Sequence, residues 1–309
     1  MSQKSSQVPE WTTASPELYT AYTDFILSRH TVCRSKRTII WYEETLTAVL
    51  DWMTHNGVSH PRDFAARHVR AYIQYLQTRV HHGKPLSDQY IHNQARTIRT
   101  FFNFLYNERY ILEPVKFQMP RIEDRRLLCL TAEQVAALVK ACPTNRDKAV
   151  LLTFVDTGAR LSEVIAMNWE DVDVASGVIN IVRGKGGKSR SVVVGVETRR
   201  ALLAYRRDIG MPLAGPLFIT RDGQRFMRMG IRDVFTRLTE RTGIKVTPHA
   251  LRRTFATLSL RAGMNPLHLQ GLLGHSTLDM TRRYVQMVDE DLVAAHREHG
   301  PIDNILHKR

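Results

Sequence analysis

The chain has 309 residues, of which 43% are hydrophobic, enough for about two domains with ordinary cores. No apolar run approaches the ~20 residues of a membrane helix and the polar N-terminus shows no secretion signal, so we expect a cytoplasmic protein without membrane contacts. The net charge is +14, and residues 121–309 carry 30 of the 44 basic and 20 of the 30 acidic residues. This surplus favours a polyanionic partner, although many basic proteins bind no nucleic acid.

The first part of the chain is predicted to form helices only. Ser15 followed by Pro16 is typical of a helix start. Apolar residues at helical spacing predict further helices over residues 39–56 and 64–80, with Ile40 facing the core, and a fourth helix after Ser87. These patterns predict a helical domain over residues 14–113.

A break in the pattern separates this region from the rest. Prolines and a charged run predict an inter-domain linker over residues 114–130. The sequence Thr131-Ala132-Glu133-Gln134 then has the form of a capping box that opens a new helix.

Two β-branched runs in the second part, residues 177–183 and 190–194, predict a hairpin around a glycine-rich turn. Helical patterns resume from Glu197 to the end of the chain. The expected fold is therefore mainly α, with a helical N-terminal domain and a mixed α+β domain over residues 131–309 that contains a small antiparallel sheet.

Several fragments of the second part carry side chains that suit phosphate chemistry. Arg160 and Glu163 share a helix face, which by itself fits an ordinary surface ion pair equally well. Lys185 lies between glycines, where it could reach a bulky anion or remain solvated. His249 and Arg252 follow Pro248 at a predicted helix start, which favours anions, and together they offer proton transfer and positive charge.

A last fragment places His275 after Leu-Gly and Tyr284 nine residues later. Gly274 fits a helix end, and a tyrosine at this position could act as a nucleophile or simply pack on a helix.

In this order and at these separations, the fragments resemble the tyrosine recombinase family, also called the lambda-integrase or Xer-like family, over about residues 15–300. Thr157-Gly158-Ala159-Arg160-Leu161-Ser162-Glu163 matches its arginine motif. Its hairpin lysine, His-x-x-Arg pair, Leu-Gly-His motif and nucleophile match Lys185, His249 with Arg252, His275 and Tyr284. The resemblance identifies residues 14–113 as a core-binding domain, by length, helicity and placement only.

The resemblance implies a site-specific recombinase or integrase that breaks and rejoins DNA through a 3′-phosphotyrosyl link on Tyr284. Arg160 and Arg252 would neutralise the phosphate, Lys185 would protonate the leaving oxygen, His249 and His275 would assist, and Glu163 would support them. Because the covalent link conserves the energy of the broken bond, the family chemistry needs no cofactor and no metal.

The expected partners are double-stranded recombination sites, on which four protomers would act through a four-way junction, with a docking tail after Tyr284 that binds in cis or in trans. A paired recombinase or accessory protein, association with the nucleoid, and a role in mobile-element integration, excision or replicon resolution remain open. The alternatives are a type IB topoisomerase, a catalytically inactive DNA-binding regulator and a metal-dependent transposase.

Overall fold

A computed structural model of the chain describes residues 15–32, 35–122, 128–181, 189–274 and Tyr284. The chain divides into two compact units, Met1–Arg125 and Arg126–Arg309. Helices predominate and the sheets are small and antiparallel, so the predicted fold class is confirmed. None of the helices within the described ranges combines the length and the apolar composition needed to cross a bilayer.

The first unit is built from helices and one short hairpin that the sequence did not predict. Its elements are α1 (Pro16–Val32), α2 (Lys36–His55), α3 (Ala66–Thr78), β1 (Val80–His81), β2 (Lys84–Pro85) and α4 (Asp88–Asn107). The predicted caps are present: the Ser15 hydroxyl accepts a 3.1 Å bond from the Leu18 N–H, and the Ser87 hydroxyl accepts one of 3.2 Å from Tyr90.

Aromatic side chains fill the core of the first unit. The ring of Phe25 meets Phe101 and Phe104 edge to face, with centroids 5.2 and 5.3 Å apart. The expectation for Ile40 is wrong, because this residue is half-exposed and Ile39 is buried in its place. Ile39 lies seven residues before Leu46, two helical turns away, and therefore shares the buried face of α2.

The chain after α4 remains attached to this helix for some distance into the predicted linker. The Arg99 guanidinium donates a 3.0 Å hydrogen bond to the Phe117 carbonyl and lies 5.3 Å from the centre of its ring. The Pro120 carbonyl lies 2.9 Å from His92 Nδ1. Residues up to Pro120 are thus anchored on the first unit.

The second unit surrounds one central helix, α6, which packs against α5, α8 and α10. Its elements are α5 (Ala132–Ala141), α6 (Asn145–Thr157), α7 (Leu161–Ala166), β3 (Val172–Asp173), β4 (Val178–Ile181), β5 (Arg190–Val193), α8 (Val196–Asp208), α9 (Arg228–Thr242), α10 (Pro248–Arg261) and α11 (Pro266–Leu273). The predicted capping box opens α5, with reciprocal hydrogen bonds between Thr131 and Gln134.

The sheet of the second unit has the order β3-β4-β5, and each neighbouring pair is antiparallel. Ile179 and Val192 turn into the core, while Ile181 lies opposite Arg190. The predicted hairpin is therefore present, and Arg190 marks its base, where β5 begins.

Candidate active site

The turn between α6 and α7 brings the first candidate residues into the site. Gly158 ends α6 in the left-handed conformation, with φ of 58°. A Cβ atom there would lie only 2.4 Å from the Phe255 ring and 2.8 Å from Leu273. Glycine is therefore needed both for the backbone angle and for the close approach of α10 and α11.

Arg160 and Glu163 form a reciprocal pair at the start of α7. One carboxylate oxygen of Glu163 accepts a 2.8 Å hydrogen bond from the backbone N–H of Arg160, and the other accepts one of 2.8 Å from its guanidinium. Glu163 is only 3% exposed. The interpretation as an ordinary surface ion pair is therefore wrong, since the carboxylate belongs to the interior.

A second arginine, Arg190, binds the same carboxylate from β5. Its two terminal nitrogens lie 2.9 and 2.7 Å from the two Glu163 oxygens. Burial alone would raise the pKa of Glu163, but the bonds from Arg190, from the Arg160 backbone and from the Arg160 guanidinium outweigh it and hold the pKa at about 2. Glu163 is therefore an anion between two cations at neutral pH.

Arg252, on the first turns of α10, is buried and joins two helix ends. Its guanidinium donates to the Gly158 carbonyl at 2.6 Å and to the Leu273 carbonyl at 2.8 Å. Burial, and next the charge of Arg160, lower its pKa to about 10, while Tyr284 and Glu163 act in the opposite direction. The side chain stays charged at neutral pH, and its position is set by two backbone groups.

The carboxyl end of α11 is the point at which the three arginines meet. Arg190 Nε donates to Leu272 O at 2.8 Å, Arg252 to Leu273 O, and Arg160 to Gly274 O at 3.2 Å. Carbonyls at a helix end lack partners within the helix. Here three consecutive carbonyls each accept from an arginine of a different element, directly before His275.

His249 lies at the start of α10, where the Thr247 side chain accepts the cap hydrogen bond from Ala250. The residue is exposed, whereas Arg252 on the same helix is buried. Partial burial of the ring, with Arg253 and Arg252 nearby, lowers the pKa of His249 below its usual value. The imidazole is therefore neutral at pH 7.

Tyr284 is half-buried and packs against the apolar cluster formed by Phe255, Ala256, Leu269 and Leu273. It also interacts electrostatically with Arg252. The structure thus brings Tyr284, Arg252, Arg160 and Glu163 to the same region of the second unit. Lys185 and His275 lie outside the described residues, as does the predicted tail after Tyr284.

The sequence did not single out Arg190, although it binds Glu163 at two points. The available signal was a charged residue at the start of a β-branched strand, directly after the glycine-rich turn. Such a residue is usually solvated, and its carboxylate partner lies 27 positions away. No local spacing rule connects the two.

Comparison with known proteins places the chain in a family. The model named "Phage integrase family" matches residues 129–291, more than half of the chain. The chain belongs to the phage integrase family. Among curated relatives, a protein named tyrosine recombinase XerC from Thermodesulfovibrio yellowstonii is 33% identical over 67% of this chain and 74% of its own length. One named tyrosine recombinase XerA from Saccharolobus solfataricus is 27% identical over 90% and 91%.

Solved structures of two integrases share the fold. The Tn1549 transposon integrase in complex with circular intermediate DNA has a TM-score of 0.70 at 22% identity, over 86% of this chain and 94% of that one. A lambda integrase dimer bound to a COC' core site has a TM-score of 0.67 at 17% identity, over 86% and 94%.

Family membership and the named relatives establish the enzyme class predicted from the sequence. The chain is a tyrosine-type site-specific recombinase, not a type IB topoisomerase or a catalytically inactive regulator. The same membership leaves the metal-dependent transposase alternative without support.

Proposed function

We propose that the Tyr284 hydroxyl oxygen attacks a phosphorus atom of duplex DNA. The new bond is a 3′-phosphotyrosyl ester, and the bond from phosphorus to the 5′-oxygen breaks. The phenolic proton passes to His249, while Lys185 protonates the leaving 5′-oxygen. A 5′-hydroxyl of a second DNA strand then reverses the steps, which joins the strands and releases the tyrosine.

The observation that carries this proposal is the position of Arg160 and Arg252 on adjacent carbonyls at the end of α11, with Tyr284 packed against the apolar cluster formed by α10 and α11. Fixed cations stabilise the negative charge that gathers on non-bridging oxygens in the transition state, and they do so best when no reorganisation is needed. Both arginines are held in advance by backbone contacts. The electrostatic part of the reaction is therefore assigned to them.

The remaining roles follow from chemistry and from the family resemblance. A tyrosine has a pKa near 10 and needs help to react at neutral pH. The lowered pKa of His249 keeps its imidazole neutral and able to accept a proton. Lys185 is assigned the general acid, and His275 a hydrogen bond to a phosphate oxygen.

DNA binding is assigned to both domains. We assign residues 14–113 to a core-binding domain, 114–130 to a linker and 131–309 to the catalytic domain. The net charge of +14 favours the phosphate backbone, so affinity is expected to fall steeply with salt. The protein would act in the cytoplasm on nucleoid DNA, for integration or excision of a mobile element or for replicon resolution.

The proposed assembly is a tetramer on two sites. A structural neighbour, lambda integrase, has been solved as a tetramer bound to a Holliday junction, with a TM-score of 0.65. In this chain the residues after Tyr284 would dock on a neighbouring protomer. Removal of the residues after Asp289 should then impair cooperative binding to a full site while binding to a half-site persists. Equal loss of both would refute the docking role.

Covalent trapping tests the proposal. The wild-type protein first selects its binding site from a randomised library of duplexes. A duplex of that sequence is then nicked next to the cleavage position. Cleavage releases a short fragment from the nicked strand, so the strand cannot be rejoined and the protein stays attached. Wild-type protein should give a denaturant-resistant adduct, whereas Tyr284→Phe should bind the duplex with the same affinity and give none. An adduct formed by Tyr284→Phe would refute the assignment of the nucleophile, and absence of any wild-type adduct would refute the reaction.

A further inference from the structure

We infer that Arg190 is a positioning residue of the recombination reaction: by binding Glu163 and Leu272 together, it orients Arg160 and the carboxyl end of α11. This inference rests on the proposed function and adds to it a residue that acts through others. Arg190 belongs to β5, whereas its partners belong to α7 and α11.

The contacts of Arg190 leave its guanidinium committed to protein groups. Nε donates to the Leu272 carbonyl at 2.8 Å, and the two terminal nitrogens bind the two oxygens of Glu163. The side chain is 12% exposed. This two-point geometry is specific to arginine, because lysine offers a single donor centre. Arg190 therefore holds Glu163 and α11 at a fixed separation and does not itself need to contact DNA.

Charge gives Arg190 a second effect on the site. The Arg160–Glu163 pair alone would be neutral, so Glu163 would offset much of the positive charge that Arg160 presents to a phosphate. With Arg190 added, the group of three carries a net charge of +1. In a buried setting such charges act strongly on one another. Arg190 thus satisfies the carboxylate and leaves the Arg160 charge available to the phosphate.

Packing at Gly274 fixes the same geometry. A Cβ atom on this residue would lie 3.1 to 3.3 Å from atoms of the Arg190 side chain. The backbone of the α11 end therefore lies directly on the guanidinium of Arg190. Residue 275, the histidine of the family motif, follows immediately in the chain. A displacement of Arg190 would therefore move the Gly274 peptide group, which directly precedes residue 275.

The position of Arg190 in the hairpin also connects these contacts to the segment that contains Lys185. Arg190 pairs with Ile181 at the base, and the eight residues between them include Lys185. One end of that segment is consequently anchored to the carboxylate that holds Arg160. The residue joins the element that bears the proposed general acid to the elements that bear the proposed phosphate ligands.

The first experiment compares Arg190→Gln with Arg199→Gln, a matched control. Arg199 also donates to two backbone carbonyls, those of Val174 and Ala175, but neither belongs to α7 or α11. On the selected nicked duplex, Arg190→Gln should slow single-turnover adduct formation by ~10- to 100-fold, the loss common for partners that orient reactive groups. Its affinity for the duplex should stay near that of the wild type, and Arg199→Gln should react at the wild-type rate.

Two further variants separate positioning from general destabilisation. Arg190→Lys keeps the charge and should recover part of the rate. Adding Glu163→Gln to the Arg190→Gln variant restores the net charge of +1. Glu163→Gln should therefore slow the reaction less in the Arg190→Gln variant than in the wild-type protein. Equal rates for Arg190→Gln and Arg199→Gln, or purely additive effects of the two substitutions, would overturn the inference.

Hydrogen exchange of the DNA-free chain supplies a readout independent of the reaction. Arg190→Gln should speed exchange of amides in residues 269–274 and leave α8 unchanged, whereas Arg199→Gln should leave residues 269–274 protected. Unchanged exchange at the α11 end in Arg190→Gln would overturn the inference. If the wild type gave no adduct while exchange responded as expected, the proposed function would fail and the link from Arg190 to α11 would stand.

Discussion

Arg160 and Glu163 are joined by two hydrogen bonds of 2.8 Å, one from the backbone and one from the guanidinium, so the same carboxylate caps α7 and orients the arginine. The chain contains an exposed pair at the same spacing, Glu197 and Arg200, with N–O distance 2.6 Å. Exposed pairs of this kind contribute little to stability. The contrast between the two pairs yields a direct test of burial.

Glu163→Gln should lower the free energy of unfolding by about 3–5 kcal/mol near pH 7, because it removes a buried anion and leaves two partly buried cations unpaired. The Glu163 pKa falls from 4.5 to about 2 on folding. The stabilisation is therefore complete above pH 4.5 and is lost as pH falls towards 2. Urea unfolding of both proteins from pH 7 to pH 2 should show a converging difference, and Glu197→Gln should stay close to the wild type. A difference that is constant with pH would contradict this account.

Arg252→Lys tests the arginine that joins the ends of α6 and α11. Lysine lacks the two separate terminal nitrogens with which Arg252 bonds Gly158 O and Leu273 O, so we expect one buried carbonyl to lose its partner, at a cost of about 1–3 kcal/mol. The displaced charge should slow adduct formation by ~10²- to 10³-fold. Chemical denaturation and single-turnover cleavage measure the two effects. Arg206→Lys, at a remote arginine that binds the Pro212 carbonyl, serves as control. A wild-type cleavage rate for Arg252→Lys would show that the reaction does not depend on the Arg252 guanidinium.

Gly158→Ala tests the close approach of α6, α10 and α11. The added methyl group would lie 2.4 Å from Phe255, and Gly243 provides the control because it ends α9 with φ of 69° in open space. Both substitutions strain the backbone, but only the first forces the core apart. Gly158→Ala should be less stable than Gly243→Ala by about 1–3 kcal/mol and should cleave poorly. Equal melting behaviour of the two variants would show that the core accommodates the added methyl group without loss of stability.

Lys185→Ala tests the general acid. Without a proton donor the 5′-oxygen is a very poor leaving group, and general-acid help is commonly worth ~10²- to 10⁴-fold. A bridging sulfur at the 5′ position leaves without a proton. Lys185→Ala should therefore fail on ordinary DNA and recover on the sulfur substrate, while Arg160→Ala should fail on both. If sulfur rescues both variants to the same extent, Lys185 is not the general acid.

Local sequence signals by themselves determined where many helices of this protein begin and end. Pro16 and Pro248 open helices, Thr131 and Gln134 close a capping box, and Gly274 ends α11, because each signal involves groups within about one helical turn. The ordered motifs from Arg160 to Tyr284 indicated the family in the same way, since a motif is also a local pattern in the chain.

Only the tertiary structure decided how these pieces meet. Arg252 lies 94 positions from Gly158, and Arg190 lies 82 positions from Leu272, yet both pairs are hydrogen-bonded. The pairing of Glu163 likewise depends on Arg190, which lies 27 positions away on β5. Such contacts arise when apolar faces are buried together and bring distant polar groups into reach, where the loss of water obliges each one to find a partner. The spacing of residues along the chain does not indicate which of these distant groups will pair.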